Sequence, residues 1–384
     1  MRNIIKYIGP GFIATLAGLE ITNVVIFTKI GAVYGITGFI IATLMVLPLT
    51  YLQQVIQLPI ITTGNSIFLY LRRKKPRLWL FTLTTIYIAS IITLLVNIIG
   101  LAIILSILIG GSWAYYSMLI ATVIWAIYSN SDIKGKVNTV LSLLSIFLII
   151  YVALFIIHLP TILSRPIVLE KIGFFDILAL WGAAASPYSL LMIGESREDL
   201  KGIYVGSVAL ALIGIAIASV GYIYLYPSPY FTIGDSIKPL YSLGVIPTII
   251  YIIGISSSVL LAGLAILSTC KSMLIKILIT RKPPKLASSV ENTIAHLVIA
   301  NIIVTIVFAR IMGTTNYRLY TNIILVGTAT IGLLFTLSLI GITYFYRSHR
   351  EGGILFKFNT IYLYVITIIS LILSFLGMIE AINI

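Results

Sequence analysis

Apolar and polar positions in this chain fall into long alternating blocks. Runs of about 20 or more apolar residues, each able to cross ~30 Å of hydrocarbon as a helix, are separated by short polar breaks. The blocks predict spans at roughly 8–30, 35–58, 79–109, 112–129, 137–158, 173–195, 203–226, 243–275, 288–310, 320–346 and 358–381. A membrane barrel would show weak ten-residue alternation instead. The pattern therefore predicts an all-α integral membrane protein with about eleven transmembrane helices. The eighth run reads either as one long tilted helix or as a helix with a polar extension. The longest polar stretch, RRKKPRLW (72–79), reads as a loop, and RKPPK (281–285) as a basic turn stiffened by its prolines.

Composition narrows the classes. Of 384 residues, 60% are apolar and 9% charged, and the mean hydropathy is +1.12. Soluble domains are about 25% charged, so a soluble enzyme, a DNA-binding protein and a disordered chain are excluded. The net charge of +14 then reads as topology and contact with anionic lipid, not as a nucleic-acid partner. With the N-terminus inside, nineteen of the 25 basic residues fall in cytoplasmic segments, and Lys29, Arg165, Lys171, Lys238, Arg310 and Arg318 fall outside. That split predicts a multi-pass protein of the plasma membrane with a cytoplasmic N-terminus and an external C-terminus. Cys270, the one cysteine, has no internal disulfide partner and reads as packing. The basic N-terminus leads into an apolar stretch with Gly, Pro and Glu and no clear cleavage site, so it reads as a retained first span.

Candidate chemistry is sparse, which makes it informative. Of 11 acidic residues only Glu20 lies midway through a span, where an ionisable group is costly and marks function by default. Thr22 and Asn23 follow it, and such residues bond to nearby backbone and help a helix unwind. Gly9, Pro10, Gly11 and Gly18 loosen the same region. The competing reading is a polar residue joining two helices. The sixth span carries WGAAASPYSLLMIGES, with Pro187 well inside it. Proline removes one ladder bond there, Ser186, Tyr188 and Ser189 flank the gap, and Gly182 to Ala185 permit close helix approach. A simple proline kink is the competing reading.

The two breaks occupy the first and sixth spans, corresponding positions in two five-span halves. Inverted repeats with broken helices and a midplane site have that arrangement, although no internal sequence repeat is visible. The whole chain, 1–384, reads as a single transmembrane domain with repeats at about 8–158 and 173–346 and an extra helix at about 358–381. Unwound backbone at membrane depth is tolerated only where it is buried or lines a cavity, so a cavity between these spans is the candidate site. His158, His296 and His349 lie near loops or span ends, far apart in sequence, and no nucleophile-plus-base set accompanies them; the chain does not read as an enzyme.

The segment GPGFIATLAGLEITNVVIFTKIGAVYG (9–35) resembles the first span of the natural resistance-associated macrophage protein (NRAMP) divalent-metal transporters. Those read Gly-Pro-Gly-Phe, an Asp-Pro-Gly-Asn break and a Gly-Ala-x-Tyr-Gly ending, at the same spacing. Glu20 falls on the family's metal-binding Asp and Asn23 on its metal-binding Asn. GAAASPY (182–188) stands where the family has Ala-x-x-Met-Pro-His. Ala183 matches the Ala whose carbonyl binds metal, Ser186 replaces Met, Pro187 is kept and Tyr188 replaces His. The Ser-Pro-Tyr is similar to divergent prokaryotic branches, including the NRAMP-related magnesium transporters. The family's Thr-Asp-x-Ala-Glu-x-x-Gly of the third span, which serves proton transfer, is matched by TLLVNIIG (93–100), with Leu94 and Asn97 at the acidic positions. Asn322 matches a family Gln near the metal.

The resemblance implies a broken-helix, inverted-repeat (LeuT-like) fold and a secondary transporter working by alternating access on a divalent metal, without the usual proton coupling. The metal ligands it implies are Glu20, Asn23, Ala183 and Ser186, with Ile21, Tyr188, Asn97 and Asn322 as further lining. All the donors are hard oxygens, which favours Mn²⁺, Mg²⁺ or Ca²⁺ over softer metals. One carboxylate neutralises half a divalent charge, so the ion is expected to bind weakly or to keep part of its water. The alternative is a transporter of the same fold carrying an amino acid or an organic amine. No cofactor is expected beyond the metal as cargo, and no partner beyond that metal and membrane lipid.

Overall fold

Backbone amides in hydrocarbon have no water to bond, so a spanning chain must satisfy them within helices. A computed structural model describes residues 18–64, 66–195, 200–278, 317–348 and 353–382. Among these residues lie thirteen α-helices: α1 (Ile21–Thr63), α2 (Ile67–Lys74), α3 (Pro76–Ile109), α4 (Trp113–Ser129), α5 (Ser131–Ser145), α6 (Ile150–Ser164), α7 (Phe174–Ala185), α8 (Pro187–Glu195), α9 (Leu200–Leu225), α10 (Lys238–Tyr241), α11 (Val245–Leu278), α12 (Tyr317–Ser348) and α13 (Gly353–Ile382). Ten of the predicted spans fall on them wholly or in part. The ninth, 288–310, lies outside the described residues, as do residues 8–17 of the first.

Three outcomes refine the expected elements. The first two spans share α1, whose 43 residues would measure about 65 Å if straight, twice the hydrocarbon thickness. Gly35 turns it, with φ 55° and ψ −130°, a conformation that suits glycine because no Cβ is present. The eighth span is one unbroken helix, α11, about 50 Å long by its 34 residues. RRKKPRLW is not a loop, which corrects the expectation from its polarity. Its first three residues end α2, whose Ile67, Phe68 and Leu71 are buried, and α3 starts at Pro76, so only Lys75 is left between helices. The Ser66 hydroxyl caps α2 by accepting from the Leu69 amide at 3.1 Å.

The helices that carry the two predicted breaks are held by backbone-close crossings. A Cβ placed on Gly31 of α1 would lie 1.9 Å from the Ala218 carbonyl oxygen of α9. One on Gly182 of α7 would lie 1.8 Å from the Thr328 carbonyl oxygen of α12. Small residues allow such approach, which gives van der Waals contact without a hydrophobic drive. Pro59 has no N–H for the Val55 carbonyl one turn back, and the Tyr346 hydroxyl of α12 donates to that carbonyl at 2.5 Å. At the other end, the Glu380 carboxylate of α13 accepts from the Phe175 amide at 2.8 Å, which satisfies a free donor at the start of α7.

Candidate functional site

In the first span, Gly18 lies in a turn, Leu19 and Glu20 are outside the helix, and α1 begins at Ile21 with Glu20 as its extended N-cap (φ −107°, ψ 170°). The Asn23 and Val24 amides bond the Glu20 main-chain carbonyl at 3.1 and 3.3 Å. A negative side chain at this position also meets the positive end of the helix dipole.

In the sixth span the break is one residue wide. Ser186 has φ 41° and ψ 71°, and among the described residues it is the one non-glycine with a positive φ. That conformation costs an L-residue about 1–2 kcal/mol. Pro187 opens α8, a position whose N–H would be unused, and its missing donor removes the helical partner of the Ala183 carbonyl four residues back. The Ser189 amide and hydroxyl both bond the Ser186 carbonyl, at 3.0 and 2.7 Å.

The two breaks meet. The Gly18 carbonyl accepts from Asn23 Nδ2 at 3.1 Å and from Ser186 Oγ at 3.2 Å. The Leu19 carbonyl accepts from the Ser258 hydroxyl of α11. Over this crossing sits Glu20, 2% exposed. Its Oε2 accepts from Asn97 Nδ2 of α3 at 2.6 Å and from Thr22 Oγ1 at 3.4 Å, and the Tyr188 hydroxyl bonds the same carboxylate. Its Oε1 is buried with no hydrogen-bond partner. Among the described residues the ion pairs are Lys29–Asp176 and Lys238–Asp235, so no cationic side chain pairs with Glu20.

The structure thus gathers Glu20, Asn23, Ser186, Tyr188 and Asn97 into one buried group, with Ala183 in the last turn of α7 beside the break. Ile21 is buried against Gly100; as the first residue of a continuous helix, it keeps its carbonyl in the ladder of α1, so the freed carbonyls are those of Gly18 and Leu19 before it. Asn322 does not join the group. It is exposed near the start of α12, where the neighbouring Thr321 accepts instead from the Ile233 amide at 2.8 Å. Leu94 is buried packing. The void that borders Asn23 and Ala184 is about 10 Å³, room for about one water.

Sequence reasoning missed one cluster on the same two helices. Lys29 Nζ lies 2.5 Å from Asp176 Oδ1, and the Tyr34 hydroxyl donates to Asp176 Oδ2 at 2.6 Å. The signal was Lys29 itself, a cation inside an apolar run, which topology counting assigned to an outside segment. It lies within α1, partly buried.

No family model matches the chain, and no curated protein sequence does. Solved structures do. A mutant of the manganese transporter of Eremococcus coleocola superposes with a TM-score of 0.67 at 16% identity, over 97% of this chain and 85% of that one. The same transporter in complex with an aromatic bis-isothiourea compound gives 0.64 at 16% identity over the same shares. MhsT in complex with L-phenylalanine gives 0.57 at 13% identity, over 96% of this chain and 98% of that one. The chain therefore has the fold of these transporters, the broken-helix architecture expected from its sequence, and is a multi-pass membrane protein.

Proposed function

We propose that this protein carries a divalent cation, Mn²⁺ or Mg²⁺, across the plasma membrane by alternating access, with Glu20 as its charged ligand. The observation that carries the reading is a carboxylate buried at the meeting of two helix breaks, with no counter-ion and with one oxygen lacking a partner among the described residues. A buried charge without a partner is expensive, and a transported cation supplies what the protein omits. Asn23, Ser186 and the Ala183 carbonyl add neutral hard oxygens to the same place, and the fold shared with a manganese transporter supports the assignment. Thr50 and Gln53 line the void beside Asn23, and Ser207 donates to Gln53 at 2.5 Å, which gives the second span a polar face leading away from the site.

Proton coupling is not part of this reading, because Leu94 and Asn97 stand where the resembling family carries acids and Tyr188 where it carries His. The distribution of basic residues supports an N-terminus inside and a C-terminus outside. A second reading, an amino acid or organic amine as cargo, draws on the likeness to MhsT and on the match between one carboxylate and one ammonium. The all-oxygen donor set around Glu20 favours the ion. In proteoliposomes, Glu20→Gln is expected to abolish Mn²⁺ and Mg²⁺ uptake while size-exclusion behaviour stays that of the parent. Unchanged uptake in that variant would remove Glu20 from the site. Calorimetric heat with amines and none with either metal would decide for the second reading.

A further inference from the structure

We infer that the third span supplies a cation ligand: Asn97 Oδ1, acting together with Glu20 Oε1, draws the bound ion against α3. The inference rests on the cation reading above and adds the side of the site on which the ion sits.

Asn97 is 1% exposed. Its amide nitrogen is committed to Glu20 Oε2 at 2.6 Å, and that bond fixes which way the amide is turned, since an oxygen facing the carboxylate would be repelled. The amide oxygen is left buried and without a hydrogen-bond partner. Glu20 Oε1 is in the same condition. The two unpartnered acceptors therefore belong to two groups that already touch. Covalent geometry keeps them at most about 7 Å apart. An ion with oxygen distances of about 2.0–2.6 Å bridges such a pair directly or through one retained water. Buried acceptors are nearly always matched, and among the described residues no donor reaches either of these two; one bound cation would match both at once.

The residues at the two breaks are occupied differently. Ser186 Oγ and Asn23 Nδ2 both donate to the Gly18 carbonyl, and Asn23 Oδ1 lies 3.3 Å from the Thr22 hydroxyl. These groups tie the two breaks to each other. Among the described residues the Asn97 side chain bonds only Glu20, and its oxygen has no partner. It stands where the resembling family has a titratable acid, so a position associated with protons there contributes a neutral ligand here.

The test uses the full-length protein purified in detergent, with Mn²⁺ titrated calorimetrically. Asn97→Ala is expected to weaken binding at least tenfold. Asn97→Asp is expected to tighten it at least threefold, because a second carboxylate then meets the ion; a packing role for Asn97 would not produce that gain. Tyr34→Phe, in the separate Lys29–Asp176 cluster, is expected to change affinity less than threefold. Affinity within threefold of the parent for Asn97→Ala, or no gain for Asn97→Asp, overturns the inference, and loss of binding in Glu20→Gln alongside would leave the cation reading standing. If Asn97→Ala does not fold, Asn97→Asp alone decides. Absence of Mn²⁺ and Mg²⁺ heat in the parent overturns both.

Discussion

Asp176 and Glu20 are buried carboxylates on the same two helices, and their surroundings differ in kind. Lys29 lies six residues beyond Asn23 along α1, and Asp176 seven before Ala183 along α7, so the ion pair sits roughly 9–10 Å from the site along both helices. Asp176 has an ammonium on one oxygen and a phenol on the other, a complete set. Glu20 has neutral donors on one oxygen and nothing on the other. A satisfied buried ion pair fastens two elements together; an unsatisfied carboxylate leaves room, on the proposed reading, for a cation that arrives and leaves. The pair has a second effect on the site: with Asp176 beside it, the Lys29 charge is neutralised locally and does not repel a cation two turns away.

Substitutions sharpen this contrast. The largest effect on stability is expected from Asp176→Asn, which leaves Lys29 as an uncompensated charge. Removing one member of a buried pair costs on the order of 2–4 kcal/mol, read as a melting temperature lowered by several degrees in detergent. The double change Lys29→Met with Asp176→Leu should recover most of it, as apolar replacement of both members often does. Glu20→Gln should act in the opposite direction. Without cation its stability is expected to equal or exceed that of the parent, by about 1 kcal/mol, because a desolvated charge is removed, and any stabilisation that Mn²⁺ gives the parent should vanish. A large loss of stability in Glu20→Gln would dissolve the contrast, since it would make Glu20 a structural residue like Asp176. Tyr34→Phe is the smallest step for the site itself. It removes one hydrogen bond to a carboxylate and should cost ~1.5 kcal/mol, with Mn²⁺ affinity unchanged by calorimetry.

Much of the architecture is legible in the sequence because hydrocarbon allows so few solutions. Length and apolarity gave the spans, and Pro187 located the sixth-span break through the bond it cannot make. Glu20 stood out because it was the one acid at mid-span. What the sequence did not reveal is pairing between distant segments. Lys29 and Asp176 are 147 residues apart, and each looked like a span-end charge until the fold put them together. Counting Lys29 as external followed a rule that holds for loops, whereas a cation paired within the bundle does not report topology. Asn97 was legible as further lining at a lost proton-acceptor position, and the structure adds its contact with Glu20. Asn322 failed for the reverse reason: a motif alignment supplied the position, and its place on the exposed side of α12 removed it. Polarity also misjudged RRKKPRLW, because a helix lying with Ile67, Phe68 and Leu71 inward needs few apolar residues to be held.

The crossings at Gly31 and Gly182 have a mechanical consequence. Main chain meets main chain there, so no rotamer change can make way for sliding, and a helix cannot shear past its neighbour without parting from it altogether. The first arm of α1 is thereby yoked to α9, and α7 to α12, as two rafts. Any rocking of the bundle must run along the seam between the rafts, and the clasp of Lys29, Asp176 and Tyr34 lies on that seam.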